Sequence, residues 1–366
     1  MEKSIEKLNY AKQYAERFIS NPDVNSVFIG GSLTAGLGSP TSDVDLFVLV
    51  NNETALQETW QAVIKKSRID VEVYSLEKFR SMLDDVLRMD DDKKSIFAAR
   101  SMRTQMDLIA RFKNSTVVKQ SAELALMKKS LESRERFFRS FQTNYWALIV
   151  EAVKEDFLGS VIDEDFSTAA LLGQNLLTAA GKAFVSAGGD SYFGEKWVYK
   201  QLKRSGISQQ LLDAYFVLQT GDWVRDGKNG AIKLLDFAQS LVMCAQVQNA
   251  ACSGEKADLE LFLPAISLSV PNYRNPAFGV FRIEGKNLMH WELHKDITLS
   301  NRMLCLLGLC GGRDSREVLR LVRSNEAIAK MVGDIGEKEM QSFIDKFVEL
   351  QLLLTSKEEI LSLIES

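Results

Sequence analysis

The chain has 366 residues, of which 46% are hydrophobic and 26% charged, a balance typical of a folded globular protein and not of a disordered or fibrous one. Its 45 basic and 49 acidic residues leave a net charge of −4, without the basic excess expected of a protein that binds nucleic acid or anionic membranes. With only two histidines, chemistry elsewhere must depend on carboxylates, hydroxyls, amines or oxygen-bound metals. The length predicts two or three domains.

The cysteines and the apolar runs bear on where the protein resides. Four cysteines without a C-x-x-C pair are few for this length, and reduced thiols are expected. No apolar run reaches the roughly 18 residues that a membrane span needs, and the first helix has no signal-peptide core. We therefore expect a cytoplasmic protein with no membrane partner.

Helical and strand patterns alternate in the first third of the chain. An opening helix precedes two β-rich runs at residues 26–30 and 43–50, which flank a glycine-rich turn. A helix is predicted for residues 56–64, and strict alternation predicts a strand at residues 68–75. We expect residues 1–115 to form an α/β domain with a mixed sheet.

The rest of the chain is predicted to add a bundle and a smaller third domain. Helical periodicity dominates from residue 76 to 250 and predicts a helical bundle over residues 116–255. A cluster of three prolines predicts a linker over residues 256–279. Two strands around Gly285 and three helices then give a winged-helix-like pattern over residues 280–366. The predicted fold class is α+β, multidomain.

A glycine-rich turn followed by two aspartates is the strongest chemical signal. Gly30 and Gly31 allow close approach of the backbone, and Ser32 is expected to open a short helix whose amides can hold a phosphate. Asp43 and Asp45 lie two residues apart on a strand, so their carboxylates share a face. Acids this close repel one another unless a cation lies between them, and Mg²⁺ suits such oxygen ligands.

The next predicted strand supplies a third acid, either Asp70 or Glu72. These residues are also two apart and share a face. The third acid would complete a second metal site or accept a proton from the attacking group, and two metals would stabilise both nucleophile and leaving pyrophosphate. Asp70 is slightly preferred as the third acid, and Glu72 stays open as the alternative.

The turn, the Asp-x-Asp pair and the later strand carboxylate together resemble the DNA polymerase β-like nucleotidyltransferase superfamily, in particular its small antibiotic-nucleotidyltransferase type, whose domain precedes a helical bundle. The resemblance implies transfer of a nucleoside monophosphate, with ATP as the expected donor of AMP, to a hydroxyl, amine or carboxylate. Asp43 and Asp45 would bind the metal, two Mg²⁺ ions being expected, with Asp70 or Glu72 as the third acid and Asp70 as the preferred metal ligand. The nucleotide-binding residues it implies are Gly30, Gly31, Ser32 and Ser42.

A basic segment of the bundle offers further phosphate ligands. Residues 192–204 gather four basic side chains around Trp197, and on a helix they line one side, as a phosphate site would need. A solvated basic face with Trp197 in the core fits the same pattern. The segment is similar to a Gly-x-Lys-Trp helix of bundle domains in the superfamily, which assigns Lys196 and Lys200 to the nucleotide.

The C-terminal part resembles PqqD-like peptide-binding winged helices in its strand pair, the run ITLSNRMLCLLGLCGGRDSREVLRLV and a helix ending in ELQLL. In that family an extended peptide adds to an edge strand, so the acceptor could be a peptide that docks there. A DNA-reading winged helix would need a basic recognition helix, whereas EKEMQSFIDKFVEL carries four acids and two lysines. A domain that only packs or forms a homodimer is the third alternative.

Three further interpretations concern the two histidines and the alternatives to this enzyme. His290 and His294 stand four apart in a predicted strand and are expected to pack or lie at the surface, with no metal-binding role. The alternative to an enzyme is a non-catalytic, antitoxin-like protein that binds nucleotide or a partner on the same fold, and the intact turn and acids argue against it. A template-independent RNA polymerase is disfavoured by the acidic net charge.

Overall fold

A computed structural model describes residues 2–52, 59–90, 92–251, 258–263, 272–291, 295–356, 359–360 and 362 of the chain. The chain divides into two compact units. The first comprises Met1–Asp90, Ser101–Arg139 and Ser191–Trp197, and the second comprises Asp91–Arg100, Ser140–Asp190 and Val198–Ser366.

The first unit is built on a five-stranded sheet. The elements up to residue 133 are α1 (Glu2–Ile19), β1 (Val24–Gly30), β2 (Val44–Val50), β3 (Thr59–Ile64), β4 (Ser67–Ser75), α2 (Leu76–Leu87), α3 (Lys93–Ala98), α4 (Arg103–Lys113), β5 (Thr116–Lys119) and α5 (Ala122–Ser133). Of these, α3 belongs to the second unit. The strand order is β3-β4-β2-β1-β5, with β2 and β4 parallel and the other neighbours antiparallel. The predicted mixed sheet is confirmed.

Apolar side chains on both faces of β1 and β2 form the core of this unit. Helix α1 covers one face, where Phe18 is buried against the sheet. On the other face the rings of Phe28 and Phe47 stack with centroids 4.8 Å apart, and Phe79 and Phe112 contact Phe28. Strands buried on both faces are near-continuous apolar runs. This core fixes the strand ends at which the candidate site lies.

The helix predicted for residues 56–64 is wrong, because the described part of that stretch forms β3. Trp60 and Ile64 are partly buried while Val63 is 73% exposed, which is the period of two that a strand requires. Pairing with β4 overrides the helical spacing of the apolar residues. Leu56, which supported the helical prediction, lies outside the described residues.

Strand β5 lies in a stretch whose periodicity predicts only helix. It pairs antiparallel with β1, Thr116 facing Ile29, and so completes the first sheet after α4. A strand of four residues is too short for its alternation to be recognised in a sequence. The domain boundaries of residues 1–115, 116–255, 256–279 and 280–366 stay predictions.

Long helices dominate the second unit. Its further elements are α6 (Glu135–Ile162, which begins in the first unit), α7 (Phe166–Ala187), α8 (Val198–Ser205), α9 (Gln209–Gln219), α10 (Lys228–Ala250), α11 (Leu259–Phe262), β6 (Tyr273–Arg274), β7 (Gly279–Ile283), β8 (Lys286–Trp291), β9 (Lys295–Leu299), α12 (Asn301–Leu309), α13 (Ser315–Ser324), α14 (Glu326–Val332), α15 (Glu337–Glu349) and β10 (Leu353–Leu354). Small residues let α7 and α10 approach closely, since a Cβ on Gly173 would lie 3.0 Å from Leu234. No described helix is both long and apolar enough to cross a membrane.

The C-terminal part contains more elements than predicted. Strands β7, β8 and β9 form a three-stranded antiparallel sheet, where two strands were expected, and α14 is an additional helix. Asp314 caps α13 through a capping box with Glu317. The winged-helix interpretation is not confirmed. Pro264, Pro271 and His294 lie outside the described residues.

Neutral amide side chains cap the outer side of β7. Asn144 Nδ2 donates to the carbonyl oxygen of Arg282 at 2.6 Å, and Asn144 Oδ1 accepts from the Arg282 amide at 3.1 Å. Gln246 Nε2 donates to Asn144 Oδ1 and to the carbonyl oxygen of Val280. We call this side of the strand the capped β7 edge. It leaves β9 as the other end of the sheet.

Candidate active site at the ends of β2 and β4

The glycine-rich turn brings the end of β1 against an aspartate. Gly31 has φ +87°, and a Cβ there would lie 1.7 Å from Asp45 Oδ2, so only glycine fits. The short helix expected at Ser32 is wrong: residues 31–36 form turns closed by hydrogen bonds from Leu37 and Gly38 to the Ser32 carbonyl oxygen. A left-handed residue at Gly36 interrupts any helix there.

Four carboxylates lie together at the start of β2 and beside it on β4. Asp45 faces Asp70 in the parallel register of the two strands, Glu72 faces the position two residues after Asp45, and Asp43 directly precedes β2. Residues of equal register and residues two apart share a face of the sheet. Their side chains are 16% to 29% exposed. We call Asp43, Asp45, Asp70 and Glu72 the acid edge.

Two arginines that the sequence analysis missed pair with the acid edge. Arg68 contacts Asp43, and its Nε lies 3.4 Å from Asp70 Oδ1. Arg111 Nη1 lies 3.1 Å from Asp45 Oδ1 and 3.6 Å from Glu72 Oε1. Arg68 stands two residues before Asp70 on β4 and is recognisable once the strand pairing is known. Arg111, on α4, gives no local signal.

Burial and these charges separate the pKa values of the acids. Burial raises the pKa of Asp45 to about 6, and the charge of Arg111 offsets this only in part. Burial also raises the pKa of Asp70, with Arg68 opposing the shift and Asp43 adding to it. For Asp43 burial is outweighed by the hydrogen bond and charge of Arg68, which hold its pKa below the ordinary value. Unequal carboxylates in one cluster are typical of functional sites.

The acid edge provides oxygen ligands of the kind that Mg²⁺ prefers. Asp70 Oδ1 is inaccessible to solvent and accepts no hydrogen bond in the described part of the chain, and Arg68 Nε lies 3.4 Å from it as an ion-pair partner. Among the described residues no group of three or more acids, cysteines or histidines is already arranged around one metal position. The donor chemistry fits magnesium, while the cations now beside the carboxylates are Arg68 and Arg111.

The residues predicted to bind nucleotide differ in burial and in the unit to which they belong. Ser32 and Ser42 are buried in the turn region, and Ser42 Oγ accepts a hydrogen bond from the Ser39 amide at 2.9 Å. Lys196 is exposed in a short 3₁₀ turn with its Nζ 5.0 Å from the Trp197 ring centroid. Lys200 is exposed on α8 in the second unit. The helix on which Lys196 and Lys200 were expected to line one side begins as this 3₁₀ turn (Glu195–Trp197) and continues in sequence as α8.

The segment Ser191–Trp197 belongs to the first unit, although the sequence analysis placed it in the bundle. Ser191 Oγ accepts a hydrogen bond from Asn114 Nδ2 at 3.0 Å, and Glu195 pairs with Arg103 at 2.8 Å. Burial raises the pKa of Tyr192 to about 12, and the charges of the acid edge add to this shift.

His290, in the second unit, has an acid beside it that the sequence analysis did not foresee. Its Nδ1 lies 2.6 Å from Asp296 Oδ1, and its ring contacts Phe97 and Phe281. Cys305 and Cys310 are buried.

The family comparison covers the part of the chain that carries the acid edge. Residues 11–118 match the nucleotidyltransferase domain family. The matched region runs from α1 to β5 and includes the glycine-rich turn, all four carboxylates and both arginines. The match supports the superfamily resemblance for this region, while the antibiotic-nucleotidyltransferase type and the PqqD-like C-terminal part stay predictions.

Two further comparisons add little. A solved structure of a nucleotidyltransferase-like protein from Exiguobacterium sibiricum is 12% identical to this chain, covers 62% of it and 78% of its own chain, and superposes with a TM-score of 0.30. No curated protein matches the chain.

Proposed function

We propose that the protein is a Mg²⁺-dependent nucleotidyltransferase of the EC 2.7.7 type that transfers AMP from ATP to a hydroxyl, amine or carboxylate. The register that sets Asp45 opposite Asp70, inside a region matching the nucleotidyltransferase domain family, carries this proposal. In the reaction the acceptor attacks the α-phosphorus, the bond to the bridging oxygen breaks, and pyrophosphate leaves. Two bound Mg²⁺ ions would supply charge stabilisation for the attacking and leaving oxygens.

The contacts of the acid edge favour Asp70 over Glu72 as the third acid. Glu72 Oε2 accepts a hydrogen bond from the Tyr74 hydroxyl at 2.9 Å, and Glu72 Oε1 lies 3.6 Å from Arg111 Nη1. Asp70 directly faces Asp45 in the register of β2 and β4, and its Oδ1 accepts no hydrogen bond among the described residues, with the exposed Arg68 as its ion-pair partner. We assign Asp43, Asp45 and Asp70 to the metals, and acceptance of the acceptor's proton to Asp70.

The nucleotide would lie along the glycine-rich turn, bound by Gly30, Gly31 and Ser32, with Ser42 supporting the turn. Lys196 and Lys200 are proposed as phosphate ligands because both are exposed cations. The intact acids and turn make the non-catalytic alternative the less favoured one.

The acceptor is proposed to be a small molecule or a peptide. A peptide that adds a strand to the three-stranded sheet needs an uncapped edge. The capped β7 edge does not offer one, because Asn144 and Gln246 occupy its backbone groups, so the docking strand would be β9. Hydrogen exchange of residues 295–299 would slow on binding a peptide selected from a random library. A homodimer through this part of the chain is the competing proposal.

Pyrophosphate release tests the reaction. The full chain is incubated with Mg²⁺, each of the four NTPs in turn and a panel of amines, alcohols and carboxylates. Turnover with one pair is expected, and Asp43→Asn should reduce it by about 10³-fold or more, the scale of removing a group that stabilises transition-state charge. Asp84→Asn is the matched control, because Asp84 pairs with Arg88 on α2 in the same unit. Unchanged turnover in Asp43→Asn would contradict the mechanism, and NTP binding without transfer would favour the non-catalytic alternative.

A further inference from the structure

The two arginines at the acid edge are held very differently. Arg68 is 53% exposed and its contacts in the acid edge are Asp43 and Asp70. Arg111 is 29% exposed and is additionally fixed by Asp107, 2.8 Å from its Nε on the same helix. Water can therefore solvate the Arg68 guanidinium as soon as it leaves the carboxylates, whereas Arg111 is anchored within the domain.

Arg68 also bridges the two carboxylates that lie on different strands. Asp43 precedes β2 and Asp70 lies on β4, so a cation between them ties the two strand starts together. A divalent metal shared by the same two carboxylates would need the same oxygens. Two cations do not occupy one position, because their repulsion adds to the loss of ligands.

We propose that Arg68 is a built-in counter-cation that competes with the metal for Asp43 and Asp70 and is released into solvent when the metal binds. The inference rests on the metal site of the proposed function. Arg111 keeps its contacts with Asp45 and Asp107 in both states and positions Asp45. The cost of releasing Arg68 is small, since exposed ion pairs are weak, so the competition lowers metal affinity by a few-fold without preventing binding.

Binding of Mn²⁺, which takes the same carboxylate ligands as Mg²⁺, tests this without any turnover. Free Mn²⁺ is followed by electron paramagnetic resonance in titrations of the chelator-treated full chain without nucleotide. Arg68→Gln removes the competing charge and should tighten Mn²⁺ binding about two- to five-fold. Arg68→Lys keeps the charge and should bind nearly as the wild type does. Arg88→Gln, the same change in the exposed pair with Asp84, should have no effect.

The outcomes separate this inference from the function on which it rests. If the wild type binds Mn²⁺, Asp43→Asn loses it, and Arg68→Gln binds no tighter than the wild type, the role of Arg68 is overturned and the metal site stands. Equal tightening in Arg68→Gln and Arg68→Lys would also overturn it, because the effect would then not follow the charge. If no variant binds Mn²⁺, the metal site and the Arg68 inference both fail.

Discussion

The acid edge and the capped β7 edge both place polar side chains against strands. The two edges differ in how completely the polar atoms of these side chains have hydrogen-bond partners. At the capped β7 edge Asn144 is fully buried, and both its Oδ1 and Nδ2 have partners in β7. At the acid edge four charged groups are partly exposed, and Asp70 Oδ1 has no hydrogen bond among the described residues. Neutral groups with complete partners stabilise a fold, whereas unequal charges with incomplete partners are poised to accept a ligand.

Removing the amide cap gives the largest expected effect on stability and tests the structural half of this comparison. Asn144→Ala leaves the Arg282 N–H and carbonyl groups without their partner inside the protein, at a cost of about 3 kcal/mol in the free energy of local unfolding. Hydrogen exchange of residues 279–283 measures it. Mn²⁺ affinity at the acid edge should not change.

An exposed amide provides the control for that variant. Gln209 pairs with Asp213 on the surface of α9, and Gln209→Ala should change stability by less than about 0.5 kcal/mol. Equal effects of the two substitutions would mean that the cap on β7 is not what stabilises this strand.

The comparison also explains how much the sequence could predict. The Gly-Ser turn, the spacing of Asp43 and Asp45, and a third acid on the next strand are local patterns, and the structure brings the three acids together. Arg111 could not be predicted, because it lies 66 residues from Asp45 and reaches it only through the packing of α4.

The misassigned elements show the same limit on a larger scale. The sequence predicts a helix where β3 lies, because the spacing of its apolar residues fits both a helical and a strand period. Pairing with β4 decides in favour of the strand. The segment Ser191–Trp197 follows a bundle helix in sequence, so only tertiary contacts reveal that it belongs to the first unit. Residues that are close in sequence could therefore be predicted to act together, whereas partners distant in sequence could not.

Titration of Asp45 tests the comparison at the acid edge, and its expected effect on stability is intermediate in size. The pKa of its carboxyl is 3.8 ordinarily and about 6 in the folded protein, so between these values the folded chain binds more protons than the unfolded chain. The free energy of unfolding therefore falls as pH rises from about 4 to 6, by on the order of 2–3 kcal/mol, and stays lowered above pH 6. The raised pKa of Asp70 acts in the same sense.

Urea unfolding of the chelator-treated full chain at pH 4.5, 5.5, 6.5 and 7.5 measures this slope. Asp45→Asn should flatten most of it, because the amide does not titrate. Asp107→Asn, which removes a different partner of Arg111, is the control and should keep the slope. A wild-type stability that rises over this range, or an unchanged slope in Asp45→Asn, would show that the acid edge is satisfied as fully as the capped β7 edge.

The smallest expected effect separates structural from ligand-binding groups within the turn itself. Ser42 Oγ accepts a hydrogen bond from the Ser39 amide, so Ser42→Ala should cost about 1 kcal/mol of stability and change the KM for NTP little. Ser32 is buried and follows Gly31, which packs against Asp45, and its side chain has no comparable bond to the described residues, so Ser32→Ala should raise that KM a few-fold at nearly unchanged stability. Thermal unfolding and initial rates at varied NTP measure the pair. The reverse pattern would assign Ser42 to the nucleotide and Ser32 to the turn. A hydroxyl whose hydrogen bond stabilises the turn is not free to bind the nucleotide.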